Sequence, residues 1–189
     1  MDHEIIDHPR RRLLGLALTA IPALWLTGCG DEAGAGDGLP FEPLELSEAR
    51  WREILTAEQY RVLRREGTER AFSSPLDGEY GDGIYVCAGC NLALFSSEHK
   101  FDSGTGWPSF WQPINEKHVG TKRDFRLVWP RTEYHCARCG GHQGHVFDDG
   151  PEPTGQRWCN NGIALEFVPD GDPLPELRGQ HSRKGREKQ

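Results

Sequence analysis

The chain has 189 residues, 36% of them apolar, and a formal net charge of -7, with a mean hydropathy of -0.66. That length holds one domain plus appendages. The acidic balance excludes a nucleic-acid binder, whose affinity rests on lysine and arginine neutralising phosphates; residues 1–28 carry three acidic and three basic side chains, so losing them leaves the charge unchanged.

Arg10-Arg11-Arg12 is a basic cluster, Leu13 to Trp25 is a short apolar run interrupted by Pro22, and Leu26-Thr27-Gly28-Cys29 follows. The run is too short to span a bilayer comfortably and has the flanks of a signal peptide. Its end resembles a bacterial lipobox, in which Cys29 is acylated and becomes the first residue. Residues 1–28 are therefore expected to be a lipoprotein-type signal, with Sec or twin-arginine export both open. Residues 29–46, rich in Gly, Ala and Asp at their start, are expected to be a flexible tether. The folded body would be exported and held at a membrane through Cys29, facing the periplasm or cell exterior.

Ser47 caps a helical stretch running to Arg65, with Trp51, Ile54 and Leu55 on one face. A second short helix is predicted from Thr56, with Tyr60 and Leu63 inward. From Thr68 the pattern changes to short aromatic and β-branched runs broken by Gly, Pro, Asn and Asp. Strands are predicted at Ile84–Val86, Leu94–Phe95, Phe125–Trp129, Tyr134–His135, His145–Phe147 and Ile163–Val168. Residues 170–189 are Pro-, Gly- and charge-rich, and are expected to be a disordered tail.

Cys87-Ala-Gly-Cys90 and Cys136-Ala-Arg-Cys139 each end a predicted strand. Asn91 and Gly140 follow their second cysteines and tolerate the positive φ that a tight metal-binding turn requires. Four thiolates suit tetrahedral zinc and leave no coordination position for substrate, so the metal would be structural. Two disulfides, or a redox-active dithiol lacking its usual βαβ context, are the alternatives.

Cys159 stands outside these pairs. Arg157 lies two residues before it and Asn161 two after, with His142, His145 and Asp149 upstream. A thiol reacts as its thiolate, which cationic and donor groups favour. Read locally, this is a nucleophile in a polar setting or a buried structural cysteine.

Six segments together resemble the type B methionine sulfoxide reductases: Gly67-Thr-Glu-Arg-Ala-Phe-Ser, Gly83-Ile-Tyr-Val-Cys-Ala-Gly-Cys, Leu94-Phe-Ser-Ser, Lys100-Phe-Asp-Ser-Gly-Thr-Gly-Trp-Pro-Ser-Phe, Gly144-His-Val-Phe-Asp-Asp-Gly-Pro and Thr154-Gly-Gln-Arg-Trp-Cys159-Asn-Asn161. The likeness runs from about Ser47 to Val168, within a domain bounded at 47–169. It implies a mostly antiparallel β fold of two small sheets, stapled by zinc, with short peripheral N-terminal helices. It also implies reduction of the R epimer of methionine sulfoxide, mainly in proteins, by a monomer.

The same resemblance implies that the Cys159 thiolate attacks the sulfoxide sulfur and that His145 and Asn161 contact its oxygen. Asp149 would orient or charge these groups and Arg157 would favour thiolate. Trp107 would face the substrate methyl group, because sulfur and methyl groups pack well on aromatic rings. His142, on the substrate side, would buttress the site. Many family members carry a resolving cysteine where this chain has Thr105. A threonine cannot form a disulfide, so an outside thiol is expected to reduce the product sulfenic acid: a thioredoxin-type, glutaredoxin-type or other donor. Asn160 and Gly162 also depart from common family residues.

Overall fold

The computed structural model describes residues 39–125 and 129–179. Helix α1, Glu48–Ile54, is capped by Ser47, whose side chain accepts the Arg50 N–H. Helix α2, Ala57–Arg65, begins at Thr56 with a full capping box. In it Gln59 N–H donates to Thr56 Oγ1 at 3.1 Å and Thr56 N–H to Gln59 Oε1 at 3.0 Å. Such reciprocal caps satisfy donors that the first turn leaves free. Trp51, Leu55, Tyr60, Val62 and Leu63 are buried, so both helices lay an apolar face on the body, as expected.

Among the described residues nine strands follow: β1 Gly83–Cys87, β2 Ala93–Ser96, β3 Lys100–Phe101, β4 Ser109–Phe110, β5 Val119–Asp124, β6 Arg131–Cys136, β7 His142–Phe147, β8 Arg157–Asn160 and β9 Leu165–Pro169. They form a three-stranded sheet, β2-β1-β9, and a six-stranded sheet, β3-β4-β8-β7-β6-β5. Their pairings are antiparallel, as the fold expectation required. Aromatic rings join the two sheets. Phe95 of β2 stacks on Phe110 of β4 with centroids 4.3 Å apart, and Tyr85 of β1 meets Phe110 edge-on at 5.0 Å. Each such pair contributes about 0.5–1.5 kcal/mol beyond its burial.

Four expectations are corrected. The strand placed at Phe125–Trp129 is not there. Phe125 lies outside a strand and is 73% exposed, Trp129 is 81% exposed, and residues 126–128 lie outside the described residues. The strand is instead the polar run Val119–Asp124, which ends the strand order among the described residues, an edge position where the side chains need not be apolar. Ile163 and Ala164 belong to a 3₁₀ turn, Gly162–Ala164, before β9 starts.

The tether ends sooner than expected. Leu44 is buried and its N–H donates to Arg138 O at 2.7 Å, while Phe41 packs edge-on against His118. The tail is ordered further than expected. Arg178 N–H donates to Cys90 O at 3.1 Å, Asn91 Nδ2 to Glu176 O at 2.8 Å, and Arg138 to Arg178 O at 2.6 Å. This strap satisfies the Cys90 carbonyl and accepts from the Asn91 and Arg138 side chains of the cysteine turns, where proline-rich composition read as disorder. The signal segment, Cys29 and residues 180–189 lie outside the described residues.

Candidate active site

Strand register assembles the site. Cys159 of β8 is directly opposite His145 of β7 and Ser109 of β4, and His145 is opposite Glu133 of β6. Directly opposed residues project from the same face, with Cβ atoms about 4.5–5.5 Å apart. One row across the larger sheet thus places thiol, imidazole and carboxylate side by side. Sequence spacing brought these residues near one another without showing β8 as a strand.

Cys159 is half-buried, and burial pushes its thiol above the ordinary cysteine value. The Arg157 charge, and hydrogen bonds from the Thr105 hydroxyl and the Arg157 guanidinium, pull the other way. Arg157 therefore favours thiolate, but burial wins and the resting group is held towards the thiol. Thr105 Oγ1 also hydrogen-bonds Ser103 Oγ at 2.8 Å, and Ser103 Oγ meets Ser109 Oγ at 2.8 Å. The Thr105 hydroxyl therefore ties Cys159 to the Ser103–Ser109 pair.

Asp149 acts through Arg157. Its carboxylate takes Nε and Nη2 in a two-point pairing at 2.8 and 2.9 Å, and the guanidinium lies 4.2 Å over the Phe147 ring. A planar fork held at both edges presents a fixed charge beside Cys159.

Asn161 is buried and oriented by main chain alone. Its Oδ1 accepts the Glu69 N–H at 2.9 Å, and its Nδ2 donates to Gln143 O at 2.8 Å. Those partners fix which end of the amide is which, leaving one Nδ2 hydrogen for an acceptor such as a sulfoxide oxygen. The Trp107 indole N–H reaches Glu69 O at 3.3 Å, so one residue holds both the aromatic face and the amide. The Glu69 carboxylate accepts from the N–H groups of Gly162 and Ile163 at 2.6 and 2.9 Å. Burial pushes its pKa up despite these bonds. Glu69 was missed from sequence, although it lies inside the Gly67-Thr-Glu motif. Beside it, Phe72 adopts a positive φ of 61° and donates its N–H to Gly106 O at 2.7 Å, so an exposed ring sits against the loop that carries Trp107.

The structure also accounts for the two departures. Asn160 is fully buried; Oδ1 accepts the Tyr134 hydroxyl at 2.5 Å and Nδ2 donates to Asn161 O at 2.8 Å. At Gly162 a Cβ would sit 2.0 Å from Ser74 Oγ, so the neighbouring Ser74 requires glycine here.

His142 is buried and bonds Glu133 Oε1 through Nδ1 at 2.7 Å; its ring meets that of His145 edge-on at 5.5 Å. Burial raises the Glu133 pKa, but hydrogen bonds from His135 and His142 outweigh it and hold the carboxyl at about 2. His145 Nε2 lies 2.8 Å from Asp124 Oδ2 at the end of the edge strand. Burial lowers the His145 pKa below the ordinary histidine value, while the bond to Asp124 opposes that shift. Asp124 was not singled out from sequence.

Away from this face, Cys87, Cys90, Cys136 and Cys139 are buried with all four sulfurs within 4.8 Å of one another. Across the two pairs the sulfurs lie 3.7 Å apart for Cys87–Cys139 and 3.5 Å apart for Cys90–Cys136. A tetrahedral metal at about 2.3 Å from each sulfur requires about 3.8 Å between sulfurs, whereas a disulfide requires about 2.05 Å. All four are free thiols, so the donor set fits a metal and not two disulfides. Asn91 and Gly140 take φ of 64° and 67°, the turn geometry anticipated from their identity. Their N–H groups each donate to the first cysteine's carbonyl at 2.8 Å.

A SelR domain model matches residues 55–169. Peptide methionine sulfoxide reductase MsrB of Methanosarcina mazei is 52% identical over 129 residues, covering 68% of this chain and 92% of its own length. The MsrB of Hahella chejuensis is 49% identical, covering 72% and 99% respectively, and that of Bradyrhizobium diazoefficiens is 54% identical, covering 65% and 88%. With its thiol row, oriented amide and four-cysteine cluster inside the matched span, the chain belongs to the MsrB family of peptide methionine sulfoxide reductases.

Proposed function

We propose that the chain reduces the R epimer of methionine sulfoxide, mainly in proteins, through Cys159 and with recycling by an outside thiol. The observation that carries this reading is the register that sets Cys159 opposite His145 while main chain fixes the Asn161 amide. The Cys159 thiolate gives its electron pair to the sulfoxide sulfur. The S–O bond breaks as the oxygen gains a proton, with His145 and Asn161 as its partners. That oxygen ends on Cys159 as sulfenic acid, and the methionine sulfur leaves with an electron pair. The sulfoxide is reduced by two electrons and Cys159 is oxidised by two. Trp107 offers its face to the methyl group on the substrate sulfur.

Thr105 supports recycling from outside, because its hydroxyl occupies a hydrogen-bonding place on Cys159 where a thiol would be needed to resolve it. A first external thiol displaces water from the sulfenic acid. A second then releases the mixed disulfide. Zinc is the metal that the four buried cysteines suit best, as a structural staple. Oxidised proteins are the substrates, and a thioredoxin-type, glutaredoxin-type or simpler thiol is the donor. Export and tethering through Cys29 rest on the sequence of residues 10–29 alone.

The test uses peptides carrying R or S sulfoxide and the chain starting at Gly30. The R peptide alone should yield one methionine per enzyme without reductant, with loss of one thiol and labelling of Cys159 by a sulfenic-specific reagent. Loss of two thiols, or a disulfide from Cys159, would contradict recycling from outside. Acylated Cys29 in membrane fractions would bear out the tether; unmodified protein confined to the cytosol would sink it.

A further inference from the structure

Asp124 lies at the end of β5, remote in sequence from the Cys159 segment, yet its carboxylate meets the catalytic histidine. Oδ2 is 2.8 Å from His145 Nε2 and 2.7 Å from Arg131 Nη2. The side chains of Asp124 and His145 are 9% and 13% exposed, so water competes little for either bond. A carboxylate oxygen only accepts, so the proton of neutral His145 must sit on Nε2. That leaves Nδ1 as a lone pair on the ring whose strand position faces Cys159. Neutral His145 therefore cannot donate to a sulfoxide oxygen from Nδ1; it can first accept a proton there. The half-buried Cys159, held towards its thiol form, has that proton to give.

We propose that Asp124 is a positioning residue that fixes the His145 tautomer, so that His145 takes the Cys159 proton at Nδ1 and returns it to the sulfoxide oxygen. This deepens the activity proposed above and rests on it. One proton serves the whole step: it leaves the thiol, resides on the imidazolium beside the Asp124 carboxylate, and ends on the sulfenic oxygen. Nucleophile, base and orienting carboxylate then come from β8, β7 and β5. This is the arrangement in which a third group holds a base in its working tautomer. The groups facing His145 are Asp124 of β5, Arg131 and Glu133 of β6, His142 of its own strand and Cys159 of β8. Asp124 favours the imidazolium, whereas Arg131 and His142 oppose it.

The active form carries one proton on the Cys159–His145 pair. Two protons leave no base and none leaves no acid, so kcat/KM should be bell-shaped in pH. Removing the Asp124 charge weakens proton binding by the pair. Asp124→Asn and Asp124→Ala should therefore move both limbs to lower pH and reduce kcat/KM by roughly 100-fold, mostly through kcat. A residue that only supported the strand would lower the profile without moving its limbs. Nitrogen NMR of resting wild type should show the His145 proton on Nε2, with that signal lost in Asp124→Ala. Unshifted limbs with kcat/KM within about twofold of wild type, or a proton resident on Nδ1, would overturn the proposal. An inactive wild type would instead sink the activity reading, and the NMR tautomer would still decide for or against Asp124.

Discussion

Five cysteines of the folded body occupy two environments that differ in almost every respect. Cys87, Cys90, Cys136 and Cys139 are no more than 6% exposed and sit in paired turns whose main-chain bonds repeat one another. Cys159 is more open, in the middle of a row of side chains, with a guanidinium and a hydroxyl beside it. Thiolates that serve as ligands need one another and closure; a thiol that serves as nucleophile needs access and an unlike neighbour. The two regions meet at Gln143 of β7. Its side chain donates to Cys87 Sγ at 3.4 Å, and its carbonyl accepts from both the Asn161 N–H and the Asn161 amide. The four-cysteine cluster is therefore tied to β7, the strand that orients Asn161.

The contrast is broken most severely at the ligands. Cys136→Ser should lose the metal and unfold the body, since binding free energy of on the order of 10 kcal/mol is also folding free energy. Elemental analysis and circular dichroism would show both losses together. A folded, metal-free and active variant would abolish the distinction between the two cysteine classes. Cys159→Ser is the mirror experiment. Turnover should vanish because a hydroxyl is not ionised near neutral pH, while the metal content stays and the unfolding midpoint moves by only a few degrees. Residual turnover would move the nucleophile elsewhere.

The comparison also explains what could be read without coordinates. The ligand turns were legible because the chemistry is local: Cys-x-x-Cys followed by a residue that tolerates positive φ. The second helix from Thr56 was legible through its inward Tyr60 and Leu63, and the capping box of Thr56 and Gln59 shows why it starts there. The β5 strand was not, because an edge position relaxes the alternation that marks a half-buried strand. The apolar run Phe125–Trp129 then drew the assignment to itself. Asp124 and Glu69 were hidden for a different reason. Each acts through a partner far away in the chain, His145 and Asn161, and no spacing rule records a contact across 21 or 92 residues.

Glu69 tests whether the catalytic end depends on such remote support. Glu69→Gln puts an amide where two N–H groups now find acceptors, leaving at least one buried donor unpaired at a cost of about 1–3 kcal/mol. The peptide after Asn161 should shift, and kcat/KM should fall by about tenfold or more, as small misplacements at a reacting centre do. Metal content should stay unchanged. Wild-type kinetics would show that the main-chain bonds of Glu69 suffice alone. A smaller perturbation is Gly162→Ser, whose Cβ collides with Ser74 and should cost about 1–3 kcal/mol by overpacking. Ser74→Gly in the same chain should recover most of that loss in a thermal melt; additive losses would mean that the clash lies elsewhere.

The subtlest difference between the two regions is in proton affinity. Burial raises the Cys159 pKa above its ordinary value, and Arg157 and Thr105 restrain that rise. The fold thus favours the thiol. This contribution to stability is fully present below the unfolded pKa, about 8.5, and is lost as pH rises through the higher folded value. Alkylation by iodoacetamide reads the same equilibrium, because only thiolate reacts appreciably. Cys159 should therefore label with a midpoint above that of a free cysteine, while the four clustered thiols stay unlabelled so long as metal holds them. Arg157→Met keeps much of the side-chain length, removes the charge, and leaves Asp149 without its partner. Both changes disfavour thiolate, so the midpoint should climb further. Asp149→Asn should act in two opposed ways: it removes a negative charge that raises the Cys159 pKa, and it releases the guanidinium from the place beside Cys159 where its charge lowers that pKa. The shift should consequently be smaller than that of Arg157→Met. A midpoint that falls in Arg157→Met would show that the guanidinium acts on Cys159 chiefly by excluding water rather than by its charge.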